Sequence, residues 1–518
     1  MFVQKAYSLE DLLGWDYIQS VVRTAAEVLG MPLQQAEALA REKVPFWPAL
    51  HKEKLEWLSQ RVGQRVTEPF ADKNPGAPTD AFREAANLAA APMGGAGSYR
   101  IGQDGRVYMA AKSEHYHIPL GHNFPGYRLI TRARQLGILN ATHNNTRGYI
   151  TRLAERRLVA AANGVAPESA ELEALLSSQA PDILNRVTNL ETGSLAVEAG
   201  IKMMLARFYR QDKTYSAPKY VGKTPVFLVM QDYTGGKEAN YHGTTAIAQT
   251  FRGMWPDMYE RLEAAGVYKV VPVAVNDLGD FEAKLRQYNQ GLYKTAGFLH
   301  EIILMNYGGL RLSEAFLQQA YRLCHETDTP CLADEIQSCM WYPGMFLFRQ
   351  YSLQPDIVII GKGFPGGEYP ASKVLATGAM DGLCQFGALV TNGQEELASL
   401  AYLITMQFAS DNAGQIGHLG KFLEEELRKV QREFPDLVLR IEGEAHLSTL
   451  LFHDVERAAA FTKALNTAGI DISAQLYKAD CPPAALLKVP VVAGEKELLR
   501  LTQHIRRVLS AMDGKEME

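Results

Sequence analysis

The sequence predicts an α/β protein in which a mostly parallel central sheet forms a large domain. Between residues 180 and 377, apolar runs of strand length alternate with segments of helical periodicity, which is the βαβ rhythm of a parallel sheet covered by helices. After residue 436 similar runs form a smaller α/β unit, and the first 90 residues have helical periodicity alone. We therefore divide the chain into a helical extension (1–90), an N-terminal part of the small domain with an interface segment (91–150), a large domain (151–400) and a C-terminal small α/β domain (401–518).

The composition is that of a globular protein without a strongly charged binding surface. Of the 518 residues, 47% are hydrophobic and 21% are charged, and the formal net charge is -5, which gives no electrostatic footprint for nucleic acid or an anionic membrane. No apolar run approaches the ~18–20 residues of a membrane span, and the first residues lack the pattern of a secretion signal. The cysteines number five, an odd count that favours a reducing compartment. We predict a cytoplasmic protein that binds neither nucleic acid nor membranes.

The extension is predicted to consist of short helices. Apolar residues recur at helical spacing over 9–29, 33–40 and 55–66, and prolines at 32, 45 and 48 divide this pattern, because proline interrupts a helix. No residue of the extension carries recognisable chemistry, so we expect it to serve packing or oligomerisation.

The next segment begins with a predicted hairpin. Gln103-Asp104-Gly105 lies between apolar runs at 99–101 and 106–109, which is a turn signal between two strands. A glycine/proline turn then leads into a helix through Ala133, and a further helix is predicted over 142–163. His115, His117 and His122 have no cysteine or carboxylate at metal-binding spacing. We therefore expect turn and packing roles for these histidines and no metal site.

The large and small domains follow as alternating elements. In the large domain, strands are predicted at 184–187, 226–230, 270–275, 298–305, 331–336, 356–361 and 373–376, with helices at 195–209, 245–265, 280–288 and 312–326. Two long helices are predicted at 395–406 and 419–433. The C-terminal unit has predicted strands at 437–442, 447–452, 470–473 and 485–489 and helices at 455–468 and 494–512.

Two of the buried strands end in residues that could take part in catalysis or bind a cofactor. The run from Cys331 ends in Asp334-Glu335, and the run from Asp356 ends in Gly361-Lys362-Gly363. Ligands of such sheets bind at the carboxyl ends of the strands, and poor solvation lowers the pKa of a lysine and makes it nucleophilic. A lysine together with a carboxylate that holds a ring nitrogen is what a pyridoxal phosphate site requires. From these two residues alone, a helix-capping Asp334 and a surface Lys362 remain an open alternative.

Other residues could complete such a site. Thr192, Gly193 and Ser194 stand where a strand gives way to a helix, and the free N–H groups of a helix N-terminus bind phosphate; a plain N-cap is the alternative. Tyr241-His242 precedes another helix, and its aromatic ring could stack on a flat cofactor, although a buried Tyr–His pair is also open. Glu301 ends an apolar strand, where only a paired or functional carboxylate is stable.

Taken together, these motifs resemble those of the class III aminotransferases of the ornithine/GABA type. The resemblance runs from about residue 94 to about residue 508. It is most specific in Leu332-Ala333-Asp334-Glu335-Ile336-Gln337, Pro355-Asp356-Ile357-Val358, Gly361-Lys362-Gly363 and Gly366-Gly367-Glu368-Tyr369-Pro370. Supporting matches are the Thr192-Gly193-Ser194 and Tyr241-His242-Gly243 motifs. The resemblance implies fold type I, with pyridoxal 5′-phosphate bound in the large domain.

The resemblance also implies a role for each matching residue. Lys362 would be the Schiff-base lysine and proton carrier, and Asp334 would pair with the pyridinium nitrogen. Gln337 would contact the phenolic oxygen, Ile336 and Tyr241 would sandwich the ring with His242 beside it, and Thr192, Gly193 and Ser194 would hold the phosphate. Thr391 would reach the phosphate of a partner subunit, which implies a homodimer with shared active sites. Glu301 and Lys488 would contact the substrate.

Several positions depart from the family pattern and bear on the substrate. Ser338-Cys339-Met340-Trp341-Tyr342 stands where a turn with an arginine is usual, and Lys488 stands where an arginine often binds a substrate carboxylate. Lysine is a poorer bidentate partner for a carboxylate than arginine. We expect the segment 338–350 to help set the substrate.

We predict an aminotransferase that moves an amino group between an amine or amino acid and a keto acid or aldehyde. The alternative within the same fold is an enzyme of racemisation, epimerisation, amino shift or decarboxylation. A scaffold protein without cofactor would not need Asp334, Gln337 and Lys362, and a dinucleotide-dependent dehydrogenase would need a Gly-x-Gly-x-x-Gly turn that the first strand lacks.

Overall fold

The computed structural model describes residues 1–71, 74, 76–85, 87–476 and 483–514. The extension contains short helices and a two-stranded sheet, in which β1 pairs antiparallel with β2. Its elements are β1 (Ala6–Tyr7), α1 (Leu9–Leu13), α2 (Trp15–Leu29), α3 (Leu33–Arg41), β2 (Val44–Pro45), α4 (Ala49–Ser59) and α5 (Asp80–Ala85). Two predicted helices differ from the observed ones. The helix predicted over 9–29 is divided into α1 and α2 at Gly14, which has φ 81°. The helix predicted over 55–66 begins and ends earlier, as α4.

A small sheet and three longer helices follow. Their elements are β3 (Pro92–Ala96), β4 (Tyr99–Gly102), β5 (Val107–Ala110), α6 (Ser113–Tyr116), α7 (Arg128–Gln135), α8 (Tyr149–Asn163) and α9 (Ala170–Ser177). The predicted hairpin is present as the antiparallel pair β4–β5. Helix α8 begins seven residues later than expected, because Gly148 in an extended conformation precedes its first turn.

The large domain contains a seven-stranded sheet that is parallel except for one strand. Its elements are β6 (Leu184–Leu190), α10 (Gly193–Leu205), β7 (Thr224–Met230), α11 (Ala246–Thr250), α12 (Pro256–Ala264), β8 (Lys269–Val273), α13 (Leu278–Gln287), β9 (Tyr293–His300), β10 (Ile303–Leu304), β11 (Leu310–Arg311), α14 (Glu314–Glu326), β12 (Cys331–Asp334), α15 (Leu347–Gln350), β13 (Ile357–Ile360) and β14 (Ser372–Thr377). The strand order is β6-β14-β13-β12-β9-β7-β8, and β14 runs antiparallel to both of its neighbours. All seven predicted strands therefore belong to one sheet, and the prediction of a mostly parallel sheet is confirmed.

Two predictions for the large domain were wrong in detail. The helix expected over 245–265 is divided into α11 and α12, because Gly253 (φ 83°) and Trp255 (φ 57°) leave the helical conformation before Pro256. The strand expected over 298–305 ends at His300, so that Glu301 lies just beyond the carboxyl end of β9. Residues 303–304 instead pair with β11 in a separate two-stranded sheet.

Long helices lead into the C-terminal unit, whose antiparallel sheet has the order β15-β16-β19-β18. The elements are α16 (Gln385–Ala388), α17 (Glu396–Asp411), α18 (Ala413–Glu433), β15 (Val438–Glu444), β16 (Leu447–Phe452), α19 (Val455–Thr467), β17 (Ile470–Asp471), β18 (Ser473–Gln475), β19 (Ala484–Leu487) and α20 (Glu495–Met512). The single strand expected over 470–473 is two strands in different sheets, since β17 pairs parallel with β5. This pairing joins the small sheet near residue 100 to the C-terminal unit.

The extension docks on α17. Asp411 accepts hydrogen bonds from Lys5 Nζ at 2.6 Å and from the Tyr7 hydroxyl at 2.5 Å. Next to this contact, the rings of Phe2, Trp47 and Phe408 pack together with centroid distances of 4.9 to 6.0 Å. The extension is thus part of the hydrophobic core. None of the helices in the described ranges is long and apolar enough to cross a lipid bilayer.

Candidate active site

A cavity of about 470 Å³ lies at the carboxyl ends of β12 and β13. Asp334 and Lys362 both line it, as the rule for parallel sheets leads one to expect. Its remaining walls come from the N-terminus of α10, the loop before α11, the end of β9, the turn after α6 and the glycine-rich segment after Lys362. Residues far apart in the sequence therefore meet in one enclosed space.

Lys362 occupies a strained position immediately after β13. Its φ of 36° is uncommon for a residue with a Cβ and is characteristic of sites where surrounding structure holds the backbone. The ammonium lies 5.2 Å from the centroid of the Tyr116 ring. Burial lowers the pKa of Lys362, although the nearby carboxylates of Glu301 and Asp334 oppose that shift. The amine is thus more readily deprotonated than an ordinary lysine.

Asp334 is a buried carboxylate held in one orientation. It is the last residue of β12 and pairs with Ile359 of β13, and only 5% of the residue is exposed. Oδ1 accepts a hydrogen bond from the Ile336 N–H at 3.1 Å, and Oδ2 lies 3.2 Å from His242 Nδ1. In the described part of the chain, His242 Nε2 is buried without a hydrogen-bond partner. The arrangement suits a carboxylate that binds a cationic N–H group of a ligand.

The N-terminus of α10 forms one end of the cavity. The Thr192 hydroxyl caps the helix by accepting from the Ser194 N–H at 3.2 Å, and Ser194 Oγ accepts from the Thr244 N–H at 3.1 Å. A helix N-terminus with free N–H groups and adjacent hydroxyls favours an anion such as phosphate. Gly193 is necessary for the close packing here, because a Cβ would lie 2.5 Å from Ile336 Cδ1.

Tyr241 and Ile336 also line the cavity. The guanidinium of Arg252 lies 4.8 Å from the centroid of the Tyr241 ring, which is within range of a cation–π interaction. The structure thus brings the predicted aromatic residue and the predicted aliphatic residue to one site, where a flat ligand can contact them.

Glu301 and Gln337 form a buried pair within the cavity. Gln337 Nε2 donates to Glu301 Oε1 at 2.7 Å. Burial, with Asp334 as the next cause, raises the pKa of Glu301 to about 7. The family resemblance predicts that Gln337 contacts the phenolic oxygen of the cofactor. In the structure its amide nitrogen forms a hydrogen bond with Glu301.

Three predicted residues do not line the cavity, namely His242, which contacts Asp334 Oδ2, Lys488 and Thr391. Lys488 is completely buried, and its ammonium lies 3.7 Å from the Trp341 ring centroid and 4.5 Å from that of Tyr116. It also donates a hydrogen bond to the Gln337 carbonyl oxygen. Thr391 lies on an exposed turn, beside Glu191, which accepts from the Asn392 N–H at 3.2 Å.

The sequence analysis missed several residues of the cavity, above all His115 and His117. We expected turn and packing roles for them, but both line the cavity. Burial, followed by the charge of Lys362, lowers the pKa of His115 to about 3. They reach the site through an irregular turn in which Ser113, Glu114 and Tyr116 all have positive φ. No local pattern signals such a turn.

Glu191, Glu368, Tyr369 and Ser372 are further polar residues of the cavity that the sequence analysis missed. Glu368 and Tyr369 belong to the glycine-rich motif that carried the family resemblance, so the motif itself was a signal for them. Burial raises the pKa of Glu368, and the charge of Arg134 opposes that shift.

These residues fit pyridoxal phosphate. The helix N-terminus at Thr192–Ser194 matches a phosphate, the buried Asp334 carboxylate matches a ring N–H, and Lys362 supplies an amine in the same cavity. Gly193 lets the start of α10 pack directly against Ile336, because a Cβ there would displace that side chain into the cavity. A possible metal cluster lies elsewhere: in the described ranges, His325, Cys331 and Asp356 have ligand atoms within 4.8 Å of one another, and none of the three lines the cavity.

Comparisons with known proteins show which family the chain is similar to. The family model for aminotransferase class-III matches residues 82–476. The putrescine aminotransferase of Pectobacterium atrosepticum is 24% identical over 332 residues, which cover 62% of this chain and 65% of that protein. An ornithine aminotransferase of a Geobacillus species is 30% identical over 256 residues, which cover 48% of this chain and 58% of that protein. The matched region thus spans less than two thirds of either relative.

A solved structure shows the likeness in fold. The N-acetylornithine aminotransferase of Stenotrophomonas maltophilia superposes with a TM-score of 0.62 at 18% identity, over 84% of this chain and 100% of that one. The expectation of fold type I is therefore confirmed.

Proposed function

Because this chain belongs to the class III aminotransferase family, we propose that it is a pyridoxal 5′-phosphate-dependent aminotransferase. It would move an amino group between an amine or amino acid and a keto acid or aldehyde. The observation that carries this proposal is the presence of Lys362 and the buried Asp334 carboxylate in one cavity with a helix N-terminus. The named relatives act on ornithine or putrescine, which supports small amines as substrates.

The residues of the chain divide the work between binding and proton transfer. Thr192, Gly193 and Ser194 would hold the cofactor's phosphate, and Tyr241 and Ile336 would enclose its ring. Asp334, fixed by the Ile336 N–H and His242, would keep the ring nitrogen protonated. When bound, pyridoxal phosphate supplies a ring that withdraws electrons from the substrate's Cα.

Lys362 would perform the proton transfer. Since burial lowers the pKa of Lys362, a larger neutral fraction than that of an ordinary lysine is available to act as nucleophile and base. The strained backbone holds this side chain in one place, so that its amine can reach both the cofactor and the substrate's Cα proton.

Covalent mapping tests the assignment of the lysine. Borohydride reduction of the yellow enzyme should fix the cofactor to Lys362, and mass spectrometry of the peptides should locate it there. Lys362→Ala should lose both the fixed label and turnover. Lys112→Met is a matched control, because Lys112 Nζ lies 5.1 Å from the same Tyr116 ring but does not line the cavity; it should keep the label on Lys362. A label on another lysine, or an active Lys362→Ala, would refute the proposal.

A half-reaction separates transamination from racemisation and decarboxylation. Incubation with amine donor alone should convert the cofactor absorbance to that of pyridoxamine phosphate, and a keto acid or aldehyde should reverse it. A donor that is consumed without this change in absorbance would favour the other chemistries.

We further propose that the active enzyme is a homodimer with shared active sites. The exposure of Thr391, beside a residue that lines the cavity, supports a role towards a partner subunit. Light scattering should give the mass of a dimer, and Thr391→Ala should weaken cofactor binding; a monomer of full activity would contradict the proposal.

We also infer a cytoplasmic location. In the described ranges four cysteines are free, and three of these are buried, which suits a reducing compartment. Fractionation of the producing cells tests this inference.

A further inference from the structure

Two buried oxygen atoms in the cavity have no protein partner. Within the described ranges, Glu301 Oε2 and Gln337 Oε1 are inaccessible to solvent and make no hydrogen bond. They belong to adjacent side chains, since Gln337 Nε2 donates to the other oxygen of Glu301. Both atoms are acceptors. A buried acceptor without a hydrogen bond raises the free energy of the folded protein. A ligand with N–H or O–H donors would supply the missing hydrogen bonds.

The charges of the cavity favour a cation at this place. Among its described lining residues there is no arginine, and the sole lysine is Lys362, whereas Asp334, Glu191, Glu301 and Glu368 are acidic. Arg252 contacts the ring of Tyr241, and Arg134 donates to the Tyr369 hydroxyl at 2.6 Å, so both guanidinium groups are engaged with residues of the walls. A carboxylate at the non-reacting end of the substrate would therefore meet like charges, and an ammonium there would meet opposite ones.

In the described ranges, Lys488 makes no direct ion pair with these acidic groups. Its ammonium lies between the rings of Tyr116 and Trp341 and is bonded to the Gln337 carbonyl oxygen. Its backbone is also fixed, because its N–H donates to the Ala111 oxygen at 2.9 Å and its carbonyl accepts from Ser113 Oγ. A lysine held in this way behind two aromatic rings is not placed to bind a substrate carboxylate.

We propose that Glu301, supported by Gln337, binds an ammonium group at the non-reacting end of the substrate, so that the enzyme prefers diamines to ω-amino acids. This inference rests on the proposed aminotransferase function. One end of the diamine would react at Lys362. The other end would donate hydrogen bonds to Glu301 Oε2 and Gln337 Oε1.

The test compares ligands of equal chain length in the holoenzyme at pH 8.5. The ligands are 1,4-diaminobutane, the neutral 4-amino-1-butanol and 4-aminobutanoate, and each is assayed for kcat/KM and for the dissociation constant obtained from the absorbance of the bound cofactor. The variants are Glu301→Gln, which can still accept from Gln337 Nε2, and Glu368→Gln, which removes one negative charge elsewhere in the cavity.

The wild-type enzyme should bind 1,4-diaminobutane at least about tenfold more tightly than the alcohol, as expected for a charged hydrogen bond, and 4-aminobutanoate most weakly. Glu301→Gln should remove most of this preference, and Glu368→Gln should retain it. Equal effects of the two substitutions would overturn the proposal, because the total charge would then set the preference. A wild-type preference for 4-aminobutanoate would also overturn it.

The two proposals fail in different ways. Turnover of amino donors without a Glu301-dependent preference would refute the role of Glu301 and leave the aminotransferase intact. Glu301-dependent binding of 1,4-diaminobutane without conversion of the cofactor would support the role of Glu301 and refute transamination.

Discussion

The packing of Gly193 against Ile336 gives the sharpest prediction for cofactor binding. In Gly193→Ala the new Cβ would lie 2.5 Å from Ile336 Cδ1 and 3.2 Å from its Cγ1. The Ile336 side chain must then move, and since it lines the cavity, it would move into the space for the cofactor ring. Overpacking of this kind costs about 1–3 kcal/mol, which corresponds to a loss of about 5- to 150-fold in affinity.

The stability of the fold should change little in the same variant. Gly193 is the first residue of α10, and alanine at a helical position is favoured over glycine by about 0.5–1 kcal/mol. A weaker affinity for pyridoxal phosphate, measured by absorbance titration, with an unchanged melting temperature of the cofactor-free protein would therefore locate the effect at the site.

A second substitution distinguishes a steric cause from a general loss of structure. Ile336→Val removes Cδ1, which is the atom in closest contact, and should restore most of the affinity in the Gly193→Ala background. Gly414→Ala is a control, because a Cβ there meets nothing within 4 Å. The reasoning would be refuted if Gly193→Ala bound the cofactor as tightly as the wild type, or if Ile336→Val gave no recovery.

Three further predictions concern stability, pH and Lys488. Gly366→Ala should lower the free energy of unfolding by more than about 3 kcal/mol and therefore lower the melting temperature strongly. The reason is that Gly366 has φ +63° and a Cβ would lie 1.6 Å from the Tyr127 hydroxyl. An unchanged melting temperature would contradict this prediction. Since burial and Asp334 raise the pKa of Glu301 to about 7, with His242 and Lys362 opposing the shift, the carboxylate forms as the pH rises through 7. The dissociation constant of 1,4-diaminobutane should therefore fall more steeply from about pH 6 to about pH 8 in the wild type than in Glu301→Gln, in which only the deprotonation of the reacting amine contributes. Lys488→Met should keep the stability and the KM for keto acids, because it removes a buried charge that lies outside the cavity; a rise of tenfold or more in that KM would restore Lys488 as a carboxylate ligand.

The sheet could be predicted because its signals are local. Strands such as β7 and β13 are runs of apolar residues, many of them β-branched, and such runs identify a buried parallel strand without knowledge of its neighbours. The division of the helix at Trp255 was also readable in principle, since proline disfavours the helical conformation in the residue before it.

The fine structure of the site could not be predicted, because it depends on contacts between distant segments. Glu301 and Gln337 come from the ends of different strands, and nothing in either sequence segment indicates that they hydrogen-bond. Lys488 occupies the position where the family resemblance implies a substrate-binding cation, but its direction is fixed by Trp341 and by the irregular turn at Tyr116. His115 and His117 reach the cavity through positive φ angles at residues other than glycine, for which the sequence offers no signal.

The contact between the first residues and Asp411 has a consequence for the synthesis of the chain. Lys5 and Tyr7 bind a residue about 400 positions later, so their docking surface does not exist until most of the polypeptide has been made. At about 5–20 residues per second, the first strand waits for roughly 20–80 s, with Phe2 and Trp47 lacking their partner Phe408. The contact with α17 therefore forms late during translation, and for that interval the rings of Phe2 and Trp47 are available to chaperones.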